Sequence, residues 1–263
     1  MRRFASARAS APLNSSAKIR VSTTPQELFA TAAEEVVQCA NQAVADRGRF
    51  TIALSGGSTP KSLYNLLATN ALNTLPWDRM FFFWGDERHV PPTDPESNYR
   101  MVSEAMLSKV PVSAANVFRV PAENPDAAAA AEAYEKTLRK VFQIGEQGVP
   151  RFDLILLGLG PDGHTASLFP GTAALRERAR IFVANWVEKL KTHRLTLTLP
   201  VLNAGRTVAF LVSGTDKATV LRTVLEDSSA SGEQYPAKLV KPSDGELIWF
   251  LDRAAASALS DKG

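Results

Sequence analysis

The sequence predicts an α/β domain built on a mostly parallel, twisted sheet with helices on both faces. Three observations carry that expectation. Runs such as Phe50–Leu54, Met80–Trp84, Leu154–Leu157 and Thr207–Val212 are almost continuously apolar, as strands buried on both faces of a sheet are. Amphipathic stretches with helical spacing separate them. Glycine-containing turns follow several strands, at the sheet edge where open parallel sheets collect ligands.

In chain order, Thr24-Pro25-Gln26-Glu27 combines an N-cap, a first-turn proline and a first-turn acid. Leu28, Ala32, Val36, Ala40 and Val44 then follow with helical spacing until Gly48. Residues 50–54 form a strand, Ser55-Gly56-Gly57-Ser58-Thr59-Pro60 a turn, and Leu63, Leu66 and Leu67 mark the next helix. Further strands are expected over residues 80–84, 117–120, 154–157, 181–186, 194–199, 207–212 and 247–251. Further helices are expected over residues 98–110, 126–144 and 216–225, and in a short Ala-rich segment at the end. Repeated β-α units of this kind make a doubly wound, Rossmann-like sheet with right-handed crossovers.

Residues 1–20 read as a basic, disordered extension and residues 21–263 as a single α/β domain, because no linker, repeat or composition break follows residue 20. At 263 residues and 45% hydrophobic content the chain can fill such a core. Five basic residues (Arg2, Arg3, Arg8, Lys18 and Arg20) precede the first acid, Glu27; removing them takes the net charge from +3 to −2. The body is therefore not a nucleic-acid-binding surface by charge. No segment is apolar enough to span a membrane. The lone Cys39 cannot form an internal disulfide, which suits a cytoplasmic location, with an organellar matrix as the alternative if residues 1–20 are a transit peptide. A monomer or weak homodimer is expected.

The most informative segment follows the strand over residues 154–157: Gly158-Leu159-Gly160-Pro161-Asp162-Gly163-His164-Thr165-Ala166-Ser167-Leu168-Phe169-Pro170-Gly171. Histidine is the side chain suited to proton transfer near neutral pH, and the glycines Gly158, Gly160 and Gly163 allow backbone N–H groups to approach an oxygen anion. His164 is the candidate base or acid, with Asp162 and Asp86 as the carboxylates beside it. Ser55, Gly56, Gly57, Ser58 and Thr59 have the make-up of an anion cradle at a helix N-terminus, although neither a P-loop nor a dinucleotide fingerprint is present. In Trp84-Gly85-Asp86-Glu87-Arg88-His89, Arg88 offers a fork for phosphate, and Asp86 or Glu87 could bind sugar hydroxyls or orient a catalytic group. Arg194 and Lys217 are further cations for the same ligand. His89 and His193 read as structural or surface residues. No spacing of histidines, cysteines or carboxylates suggests a metal.

Together, Leu54-Ser55-Gly56-Gly57-Ser58-Thr59-Pro60, Trp84-Gly85-Asp86-Glu87-Arg88 with Ser97-Asn98-Tyr99, the block from Gly158 to Gly171, and Arg194-Leu195-Thr196-Leu197-Thr198 resemble the 6-phosphogluconolactonases in content, order and spacing. The resemblance runs from about residue 21 to residue 251. It implies a cofactor-independent hydrolase of the oxidative pentose phosphate pathway, converting 6-phospho-D-glucono-1,5-lactone to 6-phospho-D-gluconate. A small sugar-phosphate lactone is then the partner. The alternatives are a sugar-phosphate isomerase or deaminase of the same superfamily, and a non-catalytic sugar-phosphate sensor. The deaminase block resembles Gly-His-Ile-Ala-Phe-Asn-Glu-Pro, whereas residues 165–170 here contain no acid, and Arg88 stands where the deaminases tend to carry tyrosine. Both departures favour the lactonase. Val187-Glu188-Lys189-Leu190-Lys191-Thr192-His193 replaces a proline-rich stretch frequent in that family, so this rim of the pocket is expected to differ.

Overall fold

The computed structural model describes residues 17–69 and 75–260. The first half runs β1 (Lys18–Ser22), α1 (Pro25–Arg47), β2 (Phe50–Leu54), α2 (Ser58–Leu67), β3 (Met80–Trp84), β4 (Asp86–Arg88), α3 (Asn98–Ala105), β5 (Val117–Phe118) and α4 (Ala127–Phe142). The second half runs β6 (Leu154–Leu157), β7 (Phe182–Val187), β8 (Thr192–Leu197), α5 (Leu199–Leu202), β9 (Thr207–Val212), α6 (Ala218–Glu226) and β10 (Glu246–Asp252), with short 3-10 turns between.

Seven strands form a parallel sheet in the order β1-β10-β9-β6-β2-β3-β5. After β2 the chain moves outward through β3 to β5, then returns to place β6 on the other side of β2. The order reverses between β2 and β6, so the loops leaving their carboxyl ends diverge and open a crevice. The continuous apolar runs are explained by depth: every residue of β2, β6 and β9 is buried. Phe83 of β3 stands at the middle of an aromatic cluster, 4.8 Å from the Phe118 ring, 5.3 Å from Phe152 and 5.5 Å from Phe142.

The signals at the ends of α1 act as expected. Thr24 Oγ1 accepts from Glu27 N at 3.2 Å, Glu27 returns the bond to Thr23 N, and Gly48 closes the helix at φ 72°.

Four features depart from the expectations. Lys18 and Arg20, read as part of the basic extension, lie in β1, which pairs with β10; residues 1–16 of that extension lie outside the described residues. A second, antiparallel three-stranded sheet, β4-β8-β7, stands apart from the parallel one. The helix expected over residues 98–110 stops at Ala105 and resumes as a 3-10 turn over Leu107–Lys109, since Met106 leaves helical geometry at φ −140°. The final Ala-rich helix is a single 3-10 turn, Ala255–Ala258. No helix among the described residues is long and apolar enough to cross a membrane.

Candidate active site

Where β2 and β3 part company, their last backbone groups lose ladder partners while still buried, and two tyrosines replace them. Tyr64 of α2 donates its hydroxyl to Ser55 O at 2.9 Å and accepts from Ser55 N at 3.0 Å. Tyr134 of α4 accepts from Trp84 N at 2.8 Å. The turns that follow each strand are thereby fixed.

In the first turn, Gly56 lies so close to Asn98 that a Cβ would sit 1.9 Å from Asn98 Oδ1. Asn98, buried at the start of α3, donates to Asp86 O at 2.9 Å and so ties the two turns together. Gly57 begins α2 without a side-chain cap, leaving the first-turn N–H groups of Ser58 and Thr59 for a ligand. Ser55 Oγ is buried and has no hydrogen-bond partner.

The second turn divides its labour by residue. Glu87 is buried and accepts from the backbone N–H groups of Arg88, Asn98 and Tyr99 at 2.7–2.8 Å, so it caps α3 rather than facing a ligand. Burial pushes its carboxyl above the usual carboxylate range, and those three N–H groups act against the rise. Asp86 is also buried, its Oδ2 accepting from Ser167 Oγ at 2.6 Å. It therefore stands in the cleft wall without orienting His164, contrary to one of the two roles expected of it. Arg88 is the direct cross-strand neighbour of Arg194 in the β4–β8 pairing, and among the described residues neither is paired with a carboxylate. Burial first, and Arg88 second, lower the pKa of Arg194. Two adjacent unpaired guanidinium groups beside open helix amides suit a dianion such as phosphate.

His164 is held from three sides. Its Nδ1 lies 2.5 Å from Asp162 Oδ1, its ring stacks on Phe169 with centroids 4.1 Å apart, and Gly160 leaves no room on the remaining face. A Cβ at Gly160 would stand 2.0 Å from His164 Nδ1. Lys189, in the 3-10 turn between β7 and β8, binds Asp162 Oδ2 and lies 5.2 Å over the Phe169 ring. Burial raises the Asp162 carboxyl, but the bonds from His164 and Lys189 outweigh it and hold the group well below the usual carboxylate range. An ionised Asp162 accepts a hydrogen bond from Nδ1–H of the neutral imidazole, which leaves Nε2 as the basic nitrogen. Ala166, two residues on, is held at φ 47°, the left-handed region that non-glycine residues rarely enter.

A cleft of about 380 Å³ collects these groups: Ser55 to Pro60, Asp86, Arg88, Gly158, Gly160, His164, Arg194 and Lys217 all line it. Of the expected site residues, Asp162 and Gly163 are outside the wall, Asp162 behind His164 and Gly163 packed under Tyr235. The expected backbone anion donors are corrected in part. Gly160 N donates to His164 O at 2.9 Å and Gly163 N to Gly160 O at 3.0 Å, so both amides close the loop's own turns. Asn98, Ser167, Phe169 and Lys189 are site residues that the sequence reading did not assign. Among the described residues, no group of three His, Cys, Asp or Glu side chains converges as a metal site.

Residues 23–249 match the family described as glucosamine-6-phosphate isomerases/6-phosphogluconolactonase. The chain belongs to that family. It is 46% identical over 218 residues to the 6-phosphogluconolactonase of Synechocystis sp., covering 83% of this chain and 88% of that one. It is 44% identical over 246 residues to the Bos taurus 6-phosphogluconolactonase, covering 92% and 93%. The solved 6-phosphogluconolactonase of Trypanosoma cruzi superposes with a TM-score of 0.83 at 32% identity, over 95% of this chain and 99% of that one. A monomeric glucosamine-6-phosphate deaminase superposes with a TM-score of 0.75 at 21% identity, which shows the shared fold.

Proposed function

We propose that the chain hydrolyses 6-phospho-D-glucono-1,5-lactone to 6-phospho-D-gluconate in the oxidative pentose phosphate pathway, with His164 as general base. The single observation that carries this reading is the coupling of His164 Nδ1 to an ionised Asp162, in a cleft shared with unpaired Arg88 and Arg194. Relatives 42–46% identical over most of both chains bear the lactonase name.

The order of strands supports an assignment of the two ends of the substrate. Lys217 follows β9, His164 follows β6, Ser55 follows β2 and Arg88 follows β3, and these strands are consecutive neighbours in the sheet or its extension. The 6-phosphate is placed on the β2–β3 side, against Arg88, Arg194 and the first turn of α2. The lactone carbonyl is placed under His164. Nε2 takes a proton from water as the water oxygen attacks the carbonyl carbon, and returns it to the ring oxygen as the acyl C–O bond breaks. With the amides of Gly160 and Gly163 engaged, the developing oxyanion is assigned to Lys217, a cation in the cleft lining. Phosphate binding aligns the ring, so remote contacts are used to lower the barrier at the carbonyl.

The test is a coupled assay that supplies fresh lactone and subtracts spontaneous hydrolysis. His164→Ala should lower kcat on the order of 10²- to 10⁴-fold with product affinity nearly unchanged. Unimpaired turnover in that variant would remove His164 from the chemistry, and catalytic ammonia release from glucosamine 6-phosphate would reassign the enzyme to the deaminase branch.

A further inference from the structure

The turn Glu188-Lys189-Leu190 replaces an expected proline-rich rim, and its lysine, although exposed, turns back onto Asp162 at the cleft. Lys189 Nζ bonds Asp162 Oδ2 on the side opposite His164, and it stands over the face of Phe169, whose ring stacks on the imidazole. It therefore touches both groups that fix the imidazole while standing across them from Nδ1. Leu190, the next residue, lines the cleft itself. The turn is anchored: Lys191 leaves it at φ 50°, and Glu188 accepts from Trp186 Nε1 at 2.8 Å and from Lys191 Nζ.

We propose that Lys189 is a positioning residue for the hydrolytic step, fixing the Asp162 carboxylate on Nδ1 of His164 and partly offsetting the charge that the carboxylate presents to the imidazole. The inference rests on the general-base reading of His164. An isolated aspartate beside a histidine favours the protonated imidazolium and so removes the base it is meant to orient. An ammonium on the far carboxylate oxygen lets Asp162 keep its hydrogen bond to Nδ1 while weakening that pull on the proton. The other charged or titratable groups around the imidazole are Asp86 and Arg88 from β4, Arg194 from β8, Lys217 from the turn after β9, and Tyr235 packed under Gly163. Of these, none is bonded to Asp162, so its second oxygen depends on Lys189.

The experiment compares Lys189→Met and Lys189→Arg with the parent enzyme, measuring kcat and KM on fresh 6-phosphogluconolactone across about pH 5.5 to 8.5, a range that brackets an unperturbed histidine. Lys189→Met should lower kcat about 5- to 10-fold at neutral pH and move the acid limb of the kcat profile upward by about half a pH unit. KM should change less than about twofold, since Lys189 is directed at Asp162 rather than at phosphate. Lys189→Arg should restore most of both. Titration of the ¹⁵N-labelled imidazoles, with His164 identified by the signal lost in His164→Gln, reads the same upward shift without turnover. A kcat profile and imidazole titration that coincide with the parent's would overturn the proposal, as would a rise in KM alone, which would make Lys189 a phosphate contact. Failure of the underlying reading is separable: there, His164→Gln itself would retain turnover.

Discussion

At the amino ends of β2, β6 and β9, Asp153 is buried and both of its oxygens are occupied. Oδ2 accepts from Thr51 N and Thr51 Oγ1, each at 2.8 Å, while Oδ1 meets Arg47 Nη2 at 2.9 Å and Arg206 Nε at 3.4 Å. At the carboxyl ends of the same sheet, Arg88 and Arg194 stand side by side with no carboxylate partner, and Ser55 Oγ is buried with no partner at all. One end cancels its charge within the fold. The other leaves two guanidinium groups without carboxylates and a buried hydroxyl without a partner at the cleft, the arrangement expected if the proposed ligand binds there. A break at the amino end should therefore register in stability, and a break at the carboxyl end in catalysis.

Asp153→Ala should give the largest effect of the first kind. It strips Thr51 N and Thr51 Oγ1 of their buried acceptor and removes a carboxylate shared by the partly exposed Arg47 and Arg206, a loss of about 2–3 kcal/mol. Urea unfolding should show that loss, while kcat at low temperature stays near the parent value. Reduced kcat with stability intact would mean that the two ends are coupled and the contrast is false.

Gly160→Ala is the counterpart at the carboxyl end. The added methyl meets His164 Nδ1 at 2.0 Å, so the imidazole must swing away from Asp162. A misplacement of about 1 Å costs on the order of 10²-fold in turnover. The melting temperature should hardly move, because the ring has the cleft to move into. A variant with parental kcat would show that His164 reacts from a different rotamer.

Arg194→Met comes next. It removes one of two like charges in the proposed phosphate cradle, so KM should rise about 10-fold, a loss of about 1.4 kcal/mol in binding, with kcat changed less. Stability should hold or improve, since Arg88 loses an unfavourable neighbour. A fall in kcat with KM unchanged would move Arg194 from the phosphate to the oxyanion.

The contrast between the ends also accounts for what the sequence discloses. The parallel sheet is legible because burial on both faces leaves strands such as Phe50–Leu54 and Thr207–Val212 no room for polar residues. The cradle and His164 are legible because glycines, hydroxyls and a histidine cluster locally at strand ends. The antiparallel sheet is not, because β4 is three charged residues, Asp86–Arg88, with no apolar alternation to mark a strand; its pairing with β8 is what makes it one. Lys189 is equally hidden, since its partner lies 27 residues away and its neighbours read as surface. The glycines mislead in one respect. Gly160 and Gly163 suggest free amides, but the loop uses both to close its own turns, and the need for glycine at Gly160 comes from the space taken by His164.

Ser55→Ala should give the smallest change and the most discriminating one. If Ser55 Oγ is an ordinary buried hydroxyl, its removal costs stability through lost packing. In this structure the oxygen has no partner to lose, so deleting it relieves a desolvated polar atom, and stability should hold or rise by up to about 1 kcal/mol. Binding should move the other way, with KM for the lactone rising about threefold as one hydrogen bond to the ligand disappears. Thermal melts with and without 6-phosphogluconate separate the two effects: the apo protein should melt no lower than the parent, and the stabilisation by product should shrink. A parental response to product would take Ser55 out of the cradle and leave phosphate recognition to Arg88, Arg194 and the first turn of α2.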